Sequence, residues 1–193
     1  MLTNDSINRR TDKLVDLQLA AKELKLQQEF AKSLAIESEK RELMRATQIE
    51  KLELIFRLLD AGFRSETLSA LELVPIAFVA WASGSVTDSE REVVMGSLVD
   101  YGLLVNQASN DRFQAWLDTR PAHELLILWK DYTTAKLTPL SSEVRRTIGI
   151  RLLKKSTEIS MASGGFFGFG TICDAEQVIL DEISEAFGLK DCS

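Results

Sequence analysis

From Asp5 to Asp60 the chain contains neither glycine nor proline. These are the two residues that most readily end a helix, so the stretch predicts a helix of about 50 residues, roughly 75 Å long at 1.5 Å per residue. A domain of 193 residues cannot cover that length. Part of the helix must therefore find a partner or project into solvent. Leu14, Leu17, Ala21, Leu24, Gln28, Ala31 and Ala35 follow alternating steps of three and four, and Ile49, Leu52, Phe56 and Leu59 do so again. Between them the seam meets Ser38, Glu42 and Arg45, where a strict coiled coil would keep Leu or Ile. The expectation is a long helix with a weak seam and a break or register change near Ser38–Arg41, ending at Ala61-Gly62. This divides the chain into a helical region of residues 1–61, able to form a coiled coil, and a helical domain of residues 62–193.

The second organising feature is an internal echo. Residues 82–90 read Ala-Ser-Gly-Ser-Val-Thr-Asp-Ser-Glu, and residues 162–176 read Ala-Ser-Gly, then Gly-Phe-Phe-Gly-Phe-Gly, then Thr-Ile-Cys-Asp-Ala-Glu. Without the insert Gly165–Gly170 the two align, and the match runs on to Gly102-Leu103 and Gly188-Leu189 at a constant offset. In the first copy Thr87 to Glu90 has the capping-box pattern. The helix predicted there runs from Thr87 to Tyr101, and its echo runs from Asp174 to Phe187. Other segments read as helices too. Ser65 can cap one, and Leu73–Ala82 is apolar all round and so belongs in a core, with Pro75 in its first turn. Asn106–Asn110 reads as a loop and Asp111–Thr119 as a short helix. A further helix has Pro121 in its first turn, and another runs from Ser141 or Ser142 to about Met161. No segment alternates long enough to predict a strand. The fold class is all-α.

Charge excludes some partners. The net charge is −6, and residues 1–60 are balanced, with 11 basic and 11 acidic side chains. The remainder carries the whole excess, so nucleic acid is not an expected partner. The start lacks the basic and apolar pattern of a signal peptide, and the longest apolar run is ten residues, Leu73–Ala82. A span needs about 20. The expectation is a cytoplasmic protein without a transmembrane segment, and two scarce cysteines, Cys173 and Cys192, fit a reducing compartment.

Catalytic groups are few. His123 is the only histidine, and neither a zinc site of several nitrogen and sulfur ligands nor a Ser/His/acid triad can be assembled around it. An enzyme is not expected. The loop of Gly164 to Gly170 lacks the Lys-Ser/Thr of a phosphate loop. Its Phe166, Phe167 and Phe169 either fold onto the core or form a contact patch for a protein partner or a peripheral membrane surface. Asp88 and Glu90 open one helix, Asp174 and Glu176 the other. Carboxylates there complement the helix dipole. Brought together, they would offer oxygen ligands to a divalent cation. Arg145, Arg146, Arg151, Lys154 and Lys155 share one helix and read as a solvated face that can also pair with the acidic turns.

The apolar helix ending in Trp-Ala-Ser-Gly, followed by Ser-Val-Thr-Asp-Ser-Glu and a second amphipathic helix, resembles the TerB-like (tellurite-resistance) domain. The resemblance covers about residues 66–189. It implies an all-helical bundle with an internal pseudo-twofold repeat and a non-catalytic, stress-related interaction or scaffolding role. It also implies divalent-metal binding (Ca, Mg or Zn) through Asp88, Glu90, Asp174 and Glu176. The family's acidic residue before the loop glycine is Ser83 here, and Ser163 in the second copy. The expected function is thus a non-catalytic interaction protein, self-associating or meeting a protein partner through residues 5–60. The alternative is a metal-binding module using the paired acidic turns.

Overall fold

The computed structural model describes residues 4–100, 106–162 and 174–189. The expectations for Tyr101 to Leu103, Phe166, Phe167, Phe169, Cys173 and Cys192 lie outside them. Eight α-helices follow in order: α1 (Asn4–Thr47), α2 (Leu52–Asp60), α3 (Val74–Ala80), α4 (Asp88–Asp100), α5 (Gln107–Asp118), α6 (His123–Leu137), α7 (Ser142–Ala162) and α8 (Asp174–Ala186). A 3-10 helix, Ser65–Leu73, leads into α3. Among the described residues there is no strand. The chain forms two compact units, residues 1–42 and residues 43–193.

In the first unit the helix passes through Ser38–Arg41 without the expected break. Glu37 pairs with Lys40 at 2.5 Å and with Arg41 at 3.5 Å, both across one turn of that region. Pairs at this spacing support a helix where apolar residues are missing. The Lys40 ammonium, through its hydrogen bond, holds the Glu37 carboxyl below the usual carboxylate range.

The helix ends instead at Thr47, inside the second unit, and residues 48–51 interrupt it. Neither Gly nor Pro marks the place, so side chains do the capping. The Thr47 hydroxyl donates to the Leu43 carbonyl at 2.8 Å and accepts from the Ile49 N–H at 3.2 Å. Gln48 takes a left-handed conformation, φ 60°, and its amide donates to the Arg45 carbonyl at 2.8 Å. A non-glycine residue there costs about 1–2 kcal/mol. The interruption buries Ile49 and turns Leu54, Ile55, Leu58 and Leu59 of α2 into the core. The expected continuation of the seam is thereby corrected, since Leu52 and Phe56 stay exposed.

Helix α2 stops at Gly62, as the sequence indicates. Gly62 has φ 77°. The Phe63 N–H reaches the Leu58 carbonyl at 2.8 Å and the Gly62 N–H reaches Leu59 at 2.9 Å, the two bonds of a Schellman ending. Arg112 of α5 fastens this end. Its guanidinium donates to the carbonyls of Gly62, at 2.7 Å, and Ala61, and lies 4.0 Å from the centre of the buried Phe63 ring. Burial, with Arg64 nearby, lowers its pKa.

Two buried clusters make up the core of the second unit. The larger holds side chains of α2, Phe63, Val74, Phe78, Leu126 and Trp129, with Leu180 and Ile183 of α8 and Phe187 just beyond it. The smaller joins Leu73, Ile76 and Ala77 to Val94 and Leu98 of α4 and Phe113 and Leu117 of α5. Helix α3 contributes to both, which is why its sequence is apolar all round. Each large side chain buried this way contributes about 1.5–3 kcal/mol. Pro75 sits in the first turn as expected, but the preceding residues 65–73 coil more tightly as a 3-10 helix, with Arg64 rather than Ser65 at its cap position.

Two further boundaries differ from the sequence reading, and the start of α7 agrees with it. Asn106 is a cap rather than loop, its side chain accepting from the Ser109 N–H at 2.8 Å, so α5 starts at Gln107. Pro121 precedes the cap of α6, Ala122, instead of lying in the first turn. Helix α7 begins at Ser142, with the Ser141 hydroxyl accepting from Val144 at 3.3 Å.

Candidate functional site

The acidic turns come first. Thr87 and Glu90 form the reciprocal pair that the sequence suggests. The Thr87 N–H donates to the Glu90 carboxylate at 2.7 Å, and the Glu90 N–H to the Thr87 hydroxyl at 3.2 Å. Glu90 is thereby committed to the start of α4, while Asp88 is exposed. In α8, Asp174 is exposed and Glu176 is buried. Among the described residues no three His, Cys, Asp or Glu side chains gather in a group that could hold a metal ion. The carboxylates beyond the second turn have other partners. Glu182 and Glu185 both lie 3.6 Å from the Lys130 ammonium of α6, and Asp181 accepts from Gln177 at 2.9 Å. His123 opens α6 and is exposed.

The helix of the first unit offers a different surface. Leu19, Leu24, Leu26, Phe30, Leu34 and Ile36 are all more than half exposed, Phe30 the most at 65%. At 3.6 residues per turn, Leu19, Leu26, Phe30 and Leu34 fall within an arc of about 80°. Glu23 lies inside the arc, and Lys22, Lys25 and Lys32 fall outside it. This stripe is not the seam expected from the sequence, which ran through Leu17, Ala21, Leu24, Gln28 and Ala31. The centres of the two faces lie about 140° apart around the helix.

Sequence reasoning missed a cavity of about 330 Å³ in the second unit. Trp129, Tyr132 and Thr133 of α6, Leu152 of α7 and Phe187 beyond α8 line its interior. Lys136, Arg151 and Lys155 stand around it with Glu72. What could not be read is the approach of α7 to Phe187. A Cβ on Gly149 would stand 2.6 Å from the Phe187 Cβ and Cγ, so glycine alone permits the contact. Burial, reinforced by the Glu72 carboxylate, pushes the Tyr132 phenol up to about 12, so at neutral pH it keeps its proton. The cationic face of α7 is therefore not only a solvated surface: Arg151 and Lys155 border this cavity, and Arg145 and Arg146 border a second hollow on the other side of Phe187.

No helix among the described residues is long and apolar enough to cross a membrane. Comparison of the chain with family models, with curated proteins and with solved structures finds no match in any of the three.

Proposed function

We propose that this chain is a non-catalytic interaction protein, a TerB-like helical bundle that assembles through its N-terminal helix. One observation carries the reading: the exposed stripe of Leu19, Leu26, Phe30 and Leu34 on α1. Isolated apolar side chains on a surface are ordinary, but a row at helical spacing is the pattern that a partner helix buries. A stripe this narrow suits a coiled-coil seam, and a lone charge such as Glu23 within a seam selects register and partner. The TerB-like reading of residues 66–189 draws support from the equal lengths of α4 and α8 and from the acidic first turn of each.

Sedimentation velocity of the full chain tests the proposal. The wild type is expected to self-associate, and Leu26→Asp with Phe30→Asp to reduce it to a monomer with unchanged helix content. A monomeric wild type at tens of micromolar (about the range of a weak dimer) would sink the self-association reading.

A further inference from the structure

We propose that the cavity between α6, α7 and Phe187 is a binding site for an anionic amphiphile, a small molecule with one aliphatic or aromatic body and one carboxylate-like head. Size is the first argument. At about 330 Å³ the cavity sits at the lower end of the range of small-molecule pockets, about 300–1,000 Å³. That is room for a single apolar body, not for the succession of anchors at i, i+4 and i+7 by which a helix docks.

Lining chemistry is the second argument. Trp129, Leu137, Leu152 and Phe187 supply an apolar wall. Two hydroxyl side chains stand among them, Tyr132 at 7% exposure and Thr133 at 8%. Neither hydroxyl hydrogen-bonds to another described residue. Each is therefore open to an acceptor that a ligand places in the cavity. Tyr132 is protonated at neutral pH and donates.

The third argument is charge. The chain carries −6 overall, yet three cations, Lys136, Arg151 and Lys155, surround this cavity against the single carboxylate of Glu72. Lys136 lies 6.0 Å from the centre of the Tyr132 ring, within reach of a cation–π contact that keeps its ammonium near the phenol. Arg151 and Lys155 are one turn apart on α7, so they present charge on one face. A local excess of positive charge beside an apolar wall selects a negative head on an apolar body, and it disfavours neutral or cationic analogues.

Calorimetry on the full chain with decanoate, decanol and decylammonium as probes, all below micellar concentration, decides the matter. Decanoate is expected to bind saturably at one site per chain and to change the fluorescence of Trp129. Decylammonium should bind about tenfold more weakly or not at all. Lys136→Glu with Arg151→Glu, two exposed positions whose replacement leaves the core intact, should weaken decanoate about tenfold. Tyr132→Phe should weaken it about fivefold while leaving the helix content unchanged. The absence of saturable decanoate binding would overturn the proposal. So would equal affinity for the three probes, or decanoate affinity untouched by the double charge reversal. Binding of an acidic amphipathic peptide in place of decanoate would overturn it in favour of a macromolecular partner.

Discussion

Helix α4 and helix α8 each run 13 residues, each begins on an aspartate, and each places a glutamate two positions later in its first turn. Val94 of α4 and Leu180 of α8 occupy matching positions and both are buried. Beyond that point the copies part. Helix α4 next buries Leu98, four residues on, while α8 next buries Ile183, three residues on. With the first buried position shared, moving the next by one residue turns the centre of the buried face by about 50°. Helix α4 accordingly joins the small cluster with α3 and α5, and α8 joins the large one with α2 and α6. The shared opening sets where each helix starts. The apolar spacing that follows decides which face is buried and against what.

The sharpest way to break the pair apart is through two glycines. Gly149 meets Phe187 so closely that Gly149→Ala must displace the anchor that follows α8, whereas Gly96 of α4 has nothing within 4 Å of the added carbon. Gly149→Ala is expected to cost about 3 kcal/mol through overpacking. Gly96→Ala should instead stabilise, by up to about 1 kcal/mol, through helix propensity. Urea unfolding of both variants checks this. Equal effects of one sign would mean that the close α7–α8 contact does not form.

A smaller effect separates the clusters by pH. The phenol of Tyr132 belongs to the α8 side, and the seven buried residues of the α4 cluster include no titratable group. The folded pKa of Tyr132, about 12, lies above its value of about 10 in the unfolded chain. The folded state therefore holds the proton more tightly, so stability is full below pH 10 and is lost as pH rises through 12. At pH 11 the loss from this group is about 1.4 kcal/mol. Comparing urea midpoints at pH 9 and pH 11 for the wild type and Tyr132→Phe isolates it, and the variant should lack that part of the decline.

Smallest is the cap. Thr87→Ala removes one half of the reciprocal pair with Glu90 and is expected to cost about 1 kcal/mol. Faster amide exchange should be confined to the first turn of α4, with α8 unaffected.

The sequence was most readable where structure is local. Thr87 and Glu90 cap each other across three residues, and Gly62 ends α2 through bonds within its own turn. Gly188 ends α8 in the same way, with φ 65° and the Leu189 N–H on the Ser184 carbonyl at 2.9 Å. The apolar run of α3 was legible as core because being apolar on every side leaves no other place for it. The interruption at residues 48–51 was not legible, because Thr47 and Gln48 do with side chains what glycine usually does. On α1 even spacing picks out Leu24 with Ala21 and Gln28, whereas side-chain bulk picks out Leu26 and Phe30, and both Leu24 and Leu26 are exposed. The cavity was beyond reach, since it depends on a helix from residues 142–162 meeting Phe187 across Gly149, a contact no local pattern encodes.

Arg112 has a consequence of another kind. Its contacts are carbonyl dipoles at the end of α2 and the faces of Phe63 and Trp116, the latter at 5.6 Å. Two other long-range cations, Arg57 with Asp131 at 2.6 Å and Arg91 with Asp118 at 2.5 Å, meet exposed carboxylates. Added electrolyte weakens attraction between exposed opposite charges over a Debye length of about 8–10 Å, but it has little purchase on a half-buried cation against dipoles and rings. As ionic strength rises, the junction of α2 and α5 therefore keeps its fastening while Arg57–Asp131 and Arg91–Asp118 let go. Lysine, a single point charge, cannot bridge two carbonyls while lying flat on a ring, so it could not keep that tolerance.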